Sequence, residues 1–320
     1  MTKQRYTEIT IVGEDSTGLI ANFTNLLFER NINIEDLDQA VQDGLFRMTM
    51  HVDATEMVCR EATLREDLQE LGDELGVSVQ IRFPDEDDSR NIGVLVTKES
   101  HCLEALIEAV ESGALEATIA CVVGNHSDLE PIAARAGIPF YDIGDENGTP
   151  DETELLERLD EYNVELIVLA RYMRILSPEV VFRYERRIIN IHPSLLPSFA
   201  GAEPYRQAID AGVRVAGVTA HYATTDLDQG PIITQRVFDV PDDGTPETLQ
   251  RRGQPLEAEA LLEAVHLHLS DSIYVHNGTT HLREDVDKAA IQLGTPTQLE
   301  AAIPDGPTDD TDVPLGAQSE

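Results

Sequence analysis

The sequence predicts an α/β protein in which a ferredoxin-like βαββαβ unit is followed by a doubly wound, mainly parallel, Rossmann-like domain. Two observations predict this class. Strand patterns before residue 84 alternate apolar and polar residues, as in FRMTMHV at 46–52, which indicates a sheet with one buried face. Strand patterns after residue 91 are continuous apolar runs between helical stretches, which indicates strands that are buried on both faces.

The N-terminal unit contains six predicted elements. Apolar residues at 19, 20, 23, 26 and 27 follow helical spacing, and QDG at 42–44 indicates a hairpin turn between two strands. The elements are predicted at residues 6–12, 18–30, 32–41, 45–52, 55–75 and 77–83.

The second unit is predicted to be a parallel sheet with an antiparallel edge. Residues 213–222 and 231–240 are close enough in the chain to pair antiparallel, and a helix around 256–270 is expected to pack back on the sheet. The buried parallel strands are predicted at residues 92–96, 118–123, 166–170 and 188–191.

Composition shifts divide the chain into four predicted segments. PDEDDSR at 84–90 joins a proline to a run of charges, which is typical of a linker. No Lys or Arg follows Lys288, and Pro, Asp, Thr and Gly dominate from residue 295, which is typical of disorder. We therefore expect a small domain at 1–84, an acidic linker at 85–90, a larger domain at 91–288 and an acidic, disordered tail at 289–320.

The chain is strongly acidic, because 23 Lys and Arg residues oppose 60 Asp and Glu residues and give a net charge of −37. The lysines are confined to positions 3, 98 and 288. An acidic, lysine-poor surface stays hydrated in concentrated salt, so we expect a halophilic protein. The absence of a basic stripe disfavours a nucleic-acid partner, because nothing would displace phosphate counterions.

The sequence favours a cytoplasmic location without a membrane partner. No apolar run is long enough for a membrane span, and an amphipathic strand pattern stands where an apolar signal core would lie. The three cysteines lack CxxC spacing, which fits reduced thiols in a reducing compartment. They are Cys59, Cys102 and Cys121.

Two polar motifs lie where apolar strands end: NIHPSLLP at 190–197 and LDQGPI at 227–232. In open α/β sheets, functional groups collect at the carboxyl ends of strands. Asn190 and His192 are two residues apart, so their side chains point to the same side of a strand. Asn190 can donate a hydrogen bond to a carbonyl oxygen, and His192 can donate or transfer a proton. Asp228 can hold His192 protonated or accept a proton from a nucleophile.

Simpler interpretations of the same residues remain open at this point. Asn190 before His-Pro can cap a turn, and Asp228 before Gln-Gly-Pro is a frequent turn residue. His192, His221 and Asp228 can also be metal ligands, although no HExxH or CxxC motif accompanies them.

Longer segments resemble a known family. NIHPSLLP and LDQGPI are similar to the signature of formyltransferases that use formyltetrahydrofolate, and ARYMRILSP at 170–178 resembles their folate-pocket segment. LVTKESHCL at 95–103, GNHSDL at 124–129 and GAEPY at 201–205 resemble the formyltetrahydrofolate deformylase family within that superfamily. EDSTGLI at 14–20 resembles the turn before the first helix of ACT domains, whose βαββαβ order agrees with the pattern.

The resemblance implies hydrolysis of 10-formyltetrahydrofolate to formate and tetrahydrofolate, which supplies formate and free folate for purine and one-carbon metabolism. It implies that Asp228 activates water while Asn190 and His192 stabilise the tetrahedral oxyanion, with folate as substrate and neither a cofactor nor a metal. A pterin requires an apolar slot, which Met173, Ile175 and Leu176 can supply unless Met173 and Ile175 are ordinary core residues. The expected folate contacts are Met173, Arg174, Ile175, Leu176, Thr224, Thr225 and Leu227.

The ACT resemblance implies a regulatory or oligomerisation domain. Paired ACT modules build joint sheets, so a homo-oligomer is expected. An amino-acid effector is expected to bind at Asp15, Gly18, Leu19, Asn33 and Ile34.

Two other functions remain open. A formyltransferase similar to glycinamide ribonucleotide transformylase shares the donor, but such relatives hold a ribose phosphate in a glycine-bearing loop. The corresponding turn at 97–102 has no glycine and carries Glu99, although Lys98 can bind a phosphate. Pro193 and Leu195 are more typical of transferases than of deformylases. The other alternative is a non-catalytic amino-acid sensor built on the ACT domain.

Overall fold

The computed structural model describes residues 6–83 and 90–283. These residues lie in one compact unit, Met1–Val286. The predicted linker, apart from Arg90, and the predicted tail at 289–320 lie outside the described residues. Among the described helices, none combines the length and the apolar composition needed to cross a bilayer.

The N-terminal domain has the predicted βαββαβ order. Its elements are β1 (Thr7–Glu14), α1 (Leu19–Glu29), β2 (Asn33–Gln42), β3 (Leu45–Asp53), α2 (Glu61–Leu75) and β4 (Val77–Arg82). The sheet is antiparallel with the order β2-β3-β1-β4, and both helices bury apolar residues against it in a single core. Helix α2 begins later than predicted because Asp53 closes a turn, where its Oδ1 accepts from the Thr55 N–H at 3.0 Å.

The second domain is the predicted mainly parallel sheet. Its strands are β5 (Asn91–Val96), β6 (Thr118–Gly124), β7 (Phe140–Asp142), β8 (Leu166–Leu169), β9 (Ile188–His192), β10 (Val215–Tyr222), β11 (Ile232–Asp239), β12 (Ile273–His276) and β13 (Thr279–Leu282). Its helices are α3 (His101–Glu111), α4 (Glu130–Arg135), α5 (Glu152–Glu161), α6 (Pro178–Arg183), α7 (Pro204–Asp210) and α8 (Pro246–Leu269). The order is β11-β10-β9-β8-β5-β6-β7. Strand β10 is antiparallel to both of its neighbours, β9 and β11, and the other neighbouring pairs are parallel. Strands β12 and β13 form a separate hairpin.

Helix α8 is longer than the predicted 256–270. The Thr245 hydroxyl caps its start by accepting from the Thr248 N–H at 3.3 Å, and Pro246 occupies the first turn, where proline fits. The helix then continues through Pro255, which usually ends a helical pattern and led to the later predicted start. The short strands β7, β12 and β13 were not predicted, because three or four residues give too little pattern.

The N-terminal sheet contacts the second domain through ion pairs in which Arg47 is buried and the carboxylates are partly exposed. Arg47 of β3 is 5% exposed and pairs with Glu185 of the second domain and, at 2.6 Å, with Asp38 of β2. Arg187 of the second domain lies 3.7 Å from Glu8 of β1. The N-terminal domain is therefore fixed against the domain that carries the candidate site.

Candidate active site

The predicted catalytic residues meet at the end of β9. Asn190 and His192 lie two residues apart on this strand, which ends at His192. Asp228 approaches from the loop between β10 and β11, with a backbone φ of 55°. All three line a cavity of about 760 Å³. The sequence-based expectation that these residues come together therefore agrees with their placement.

His192 is held between a carboxylate and a backbone carbonyl. Its Nδ1 lies 3.4 Å from Asp228 Oδ2, and its Nε2 lies 3.1 Å from the carbonyl oxygen of Phe199. Because a carbonyl oxygen only accepts, Nε2 carries a proton in this arrangement. Asp228 Oδ2 also accepts from the Gly201 N–H at 2.8 Å. The loop at 199–201 thus contacts both ionisable groups, and His192 must release Phe199 before Nε2 can donate to a substrate.

His221 on the neighbouring strand β10 orients Asn190. The sheet register places the two residues opposite each other, with His221 Nε2 3.2 Å from Asn190 Nδ2. His221 Nδ1 donates to the Tyr222 carbonyl at 3.0 Å, so in a neutral ring Nε2 accepts from the Asn190 amide. Burial lowers the pKa of His221, which favours this neutral ring. The second N–H of the Asn190 amide then remains available for a substrate oxygen.

The role of His221 beside Asn190 is not visible in the sequence, which suggests His221 only as one of three metal ligands. In the structure both of its ring nitrogens have hydrogen-bond partners, and the His192 nitrogens face Phe199 and Asp228. One indication of a functional role was available: His221 is a buried polar residue at the end of an apolar strand, beside the strand that carries Asn190. Its partner depends on sheet register, which only the fold provides.

The folate candidates line one wall of the cavity. They are Met173, Arg174, Ile175, Leu176, Thr224, Thr225 and Leu227. The side chains of Met173 and Ile175 are 57% and 71% exposed, so the interpretation of both as core residues is wrong. The Met173 N–H donates to the Thr97 hydroxyl at 2.9 Å, and Arg174 Nη2 donates to the Asn147 carbonyl at 2.8 Å rather than to a carboxylate. The wall offers apolar side chains on a fixed backbone, as a pterin slot requires.

A second wall of the cavity is acidic at the turn after β5. Glu99 lines the cavity and accepts from Gln250 at 3.0 Å and Gln254 at 2.8 Å. Lys98, the expected alternative phosphate ligand, is exposed and is not among the residues that line the cavity. In addition to these neutral partners, His101 Nδ1 lies 3.8 Å from Glu99 Oε2, and Arg171 lines the same cavity.

Glu257 of α8 is a buried carboxylate that was not predicted. It accepts from the Tyr205 hydroxyl at 2.6 Å and lies 3.0 Å from His101 Nε2 and 3.3 Å from Arg171 Nε. Burial alone would raise its pKa, but the contact with His101, the charge of Arg171 and the hydrogen bond from Tyr205 together lower the pKa. Glu257 lies four residues before the buried Leu261 and therefore shares its helix face. A charged residue on the apolar face of a helix is unusual, and this position could have identified Glu257 from the sequence.

The cluster around Glu257 also brings His101 and Cys102 together. One ligand atom from each of these three residues lies within 4.8 Å of the others, the only such group among the described residues. The nearby Arg171 guanidinium already supplies positive charge to the carboxylate. The cluster therefore ties α3, α8 and the folate segment to one another by hydrogen bonds and an ion pair.

The effector candidates lie on two segments of the N-terminal domain. Gly18, with a φ of 100°, precedes α1 beside Asp15 and Leu19, whereas Asn33 and Ile34 begin β2. Leu19 is 2% exposed, which corrects its assignment: the side chain belongs to the core, and only its backbone can meet an effector. Asn33 Nδ2 donates to Glu35 Oε1 at 2.6 Å.

Comparison with known proteins gives two domain matches. The ACT domain model matches residues 6–82, and the Formyl transferase model matches residues 90–265. Formyltetrahydrofolate deformylase of Haemophilus influenzae is 40% identical over 275 residues, which cover 83% of this chain and 95% of that protein.

Solved structures show the same relationship. The crystal structure of a formyltetrahydrofolate deformylase from Pseudomonas syringae aligns with a TM-score of 0.59 at 31% identity, over 88% of this chain and 95% of that one. A glycinamide ribonucleotide transformylase from Symbiobacterium toebii aligns with a TM-score of 0.58 at 34% identity. It covers 63% of this chain and 97% of its own, a share that fits the second domain alone. With both domains matched in order, the chain belongs to the formyltetrahydrofolate deformylase family.

Proposed function

We propose that the chain hydrolyses 10-formyltetrahydrofolate to formate and tetrahydrofolate and so supplies one-carbon metabolism. Relatives that match both of its domains are named formyltetrahydrofolate deformylases. The observation that carries the choice of water as acceptor is the turn after β5, which has no glycine and presents the Glu99 carboxylate to the cavity. A phosphorylated amine would meet like charge there, whereas water is neutral.

Bond formation follows from the geometry of the three polar residues. Asp228 accepts a proton from water as the water oxygen forms a bond with the formyl carbon. The carbonyl electron pair moves to the formyl oxygen, and this oxyanion accepts hydrogen bonds from Asn190 and from His192 once Nε2–H has left Phe199. His221 keeps the Asn190 amide turned toward that oxygen.

Bond cleavage completes the reaction. The oxyanion reforms a carbonyl, the C–N10 bond breaks, and N10 takes the proton that Asp228 accepted, either directly or through His192, which donates from Nε2 and is reprotonated at Nδ1 by Asp228. The products are tetrahydrofolate and formic acid, which ionises to formate. Water thus contributes its oxygen to formate, one proton to N10 and one proton to solvent.

A transformylase activity is the second candidate, because the transformylase fold aligns closely with the second domain. Of the two transferase-like residues, Pro193 lines the cavity, whereas Leu195 is absent from the lining and packs beside Gly217 of β10. Only Pro193 therefore bears on the acceptor. The acidic wall and the exposed Lys98 favour hydrolysis.

Formate release from 10-formyltetrahydrofolate tests the proposal. In molar KCl and without an amine, the full chain is expected to release formate and tetrahydrofolate in equal amounts. Tetrahydrofolate formation that requires added glycinamide ribonucleotide, with the formyl group recovered on that amine and no formate, would support the transformylase instead. Release of neither product under both conditions, with folate or amino acids still bound, would leave the sensor as the remaining candidate.

The role of Asp228 is tested separately. Asp228→Asn keeps the shape and removes the base, so kcat is expected to fall by about 10²- to 10⁴-fold while tetrahydrofolate still binds. Asp210→Asn, at an exposed position outside the cavity, is the matched control. A wild-type kcat in Asp228→Asn would contradict the assigned base.

We further propose that the ACT domain binds an amino-acid effector and joins copies of the chain. The ACT match and the open turn at Asp15 and Gly18 support this role. Glycine and methionine are expected to change the rate of formate release, and light scattering is expected to give the mass of a homo-oligomer. If neither amino acid changes the rate of formate release, the ACT domain would have only the oligomerisation role. A mass equal to that of a monomer would contradict the oligomerisation role.

A further inference from the structure

We propose that Gln42 of the ACT domain is a positioning residue for the folate wall of the active site. Gln42 ends β2 at the tip of the β2–β3 hairpin, and its Oε1 accepts from the Thr225 hydroxyl at 2.8 Å. Both side chains are half-buried, and Thr225 lines the cavity. The inference rests on the proposed folate site, to which it adds a residue from the other domain.

The hairpin tip is held rigidly enough to act as a support. Asp43 and Gly44 form a two-residue turn with φ values of 51° and 83°, which suits the twist of paired strands. The Gly44 carbonyl accepts from the Asp15 N–H at 2.9 Å, so the end of β1 also holds the turn. Gln42 therefore projects from a backbone that is fixed on both sides.

The hairpin is also fixed relative to the second domain. Arg47 lies five residues after Gln42 and is buried in its ion pair with Glu185, with its guanidinium 5.8 Å from the Phe182 ring centroid. The contact between Gln42 and Thr225 is thus one edge of a packed interface. A single hydrogen bond on a rigid frame can select one position of a loop more effectively than the same bond on a mobile segment.

The loop that Gln42 contacts leads directly to the catalytic carboxylate. Thr225 lies three residues before Asp228, and the Thr224 hydroxyl donates to the Asp226 carbonyl at 3.0 Å within the same turn. Leu227 is 50% exposed in the cavity wall. Loss of the Gln42 contact would free the loop at Thr225 and loosen the pterin slot, while Asp228 keeps its own bond to Gly201.

This geometry predicts a separation between binding and chemistry. Gln42→Ala is expected to raise KM for 10-formyltetrahydrofolate by about 3- to 10-fold, the range for one hydrogen bond, with kcat changed less than about twofold. Gln42→Glu keeps an acceptor oxygen for the Thr225 hydroxyl and is expected to retain the wild-type KM. Gln39→Ala, at an exposed position on the same strand, is the matched control.

A double-mutant cycle in the full chain decides whether the two residues act through each other. Thr225→Val removes the donor, and the KM of the Gln42→Ala/Thr225→Val pair is expected to be no worse than that of Thr225→Val alone. The inference is overturned if Gln42→Ala matches Gln39→Ala in KM, if Gln42→Glu fails to restore KM, or if the two changes multiply.

A calorimetric Kd for tetrahydrofolate on the same variants keeps this test separate from the proposed function, because binding does not require turnover. The Kd is expected to weaken in Gln42→Ala and to be preserved in Gln42→Glu. Formate release by the wild type with an unchanged Kd in Gln42→Ala overturns only the role of Gln42. No formate release and no folate binding by the wild type would overturn both proposals.

Discussion

His221 decides how Asn190 faces the substrate, because its neutral ring can only accept from the Asn190 amide once Nδ1 is given to the Tyr222 carbonyl. His221→Phe keeps a ring of similar shape but removes that acceptor. We expect kcat to fall by about 10- to 100-fold with little change in KM, because misplacing an oriented donor affects the transition state most. Steady-state kinetics of formate release measure both constants, and an unchanged kcat would contradict this role.

The residues proposed to contact the reacting atoms were more predictable than the residues that position them. Asn190, His192 and Asp228 each follow an apolar strand, and strand ends in this fold class meet at one edge of the sheet. His221 and Glu257 act through partners from distant segments, which are set by sheet register and helix packing. No local pattern records such pairings, so the sequence suggested His221 only as a metal ligand and gave no role to Glu257.

Helices α7 and α8 pack so closely that an added methyl group between them is expected to change the stability of the protein. A Cβ added at Gly253 would lie 1.8 Å from the Tyr205 hydroxyl oxygen, the atom that donates to Glu257. In an isolated helix, Gly→Ala stabilises by about 1 kcal/mol, but here overpacking is expected to reduce the free energy of unfolding by about 1–3 kcal/mol. Denaturant unfolding of Gly253→Ala and of the wild type measures whether the free energy of unfolding falls or rises.

The control for that experiment is to make Gly253→Ala in the Tyr205→Ala variant, which lacks the ring that the new methyl group would contact. In this background Gly253→Ala is expected to be neutral or stabilising. An equal loss of stability in both backgrounds would show that the helix itself, rather than the contact with α7, requires glycine.

The interface between the N-terminal sheet and the second domain is expected to depend on pH. Burial raises the pKa of Glu8, but the hydrogen bond from His51 and the charge of Arg187 outweigh burial and lower it from 4.5 to about 2. Because the folded-state pKa is depressed, this stabilisation is fully present above pH 4.5 and is lost as the pH falls toward 2.

Glu8→Gln tests that dependence. At neutral pH it is expected to lower the free energy of unfolding relative to wild type, and the difference is expected to shrink as the pH falls through this interval. Glu14→Gln, at the exposed far end of β1, is the control at constant salt. A difference between Glu8→Gln and wild type that persists unchanged at the acid end would contradict the ion-pair account.

Long, strongly patterned elements were predictable, whereas short or interrupted ones were not. The hairpin of β2 and β3 and the buried strands β5, β6, β8 and β9 follow the predicted spans closely. The start of α8 was missed because Pro255 interrupts a helix that packing on the sheet sustains. The sheet order, with β9 beside both β8 and β10, comes from tertiary packing and places His221 next to Asn190.

The net charge of −37 makes the response of the whole molecule to salt a direct test of the prediction that its surface is halophilic. Raising ionic strength from 0.1 M to 1 M shortens the Debye length from about 10 Å to about 3 Å, which screens self-repulsion among surface carboxylates. The midpoint of thermal unfolding is therefore expected to rise with KCl. A sugar solution of equal osmolality is the control, and a midpoint that is equal or lower in molar KCl would contradict the prediction.

Water as the formyl acceptor is the central element of the proposed reaction, in which Asp228 would activate the nucleophile and Glu99 would disfavour a phosphorylated amine. Turnover of 10-formyltetrahydrofolate in water enriched with oxygen-18, followed by mass spectrometry of the products, measures this directly. Formate is expected to carry one oxygen from the solvent, at the same yield whether or not glycinamide ribonucleotide is present. Unlabelled products, with the formyl group recovered on the amine, would contradict it.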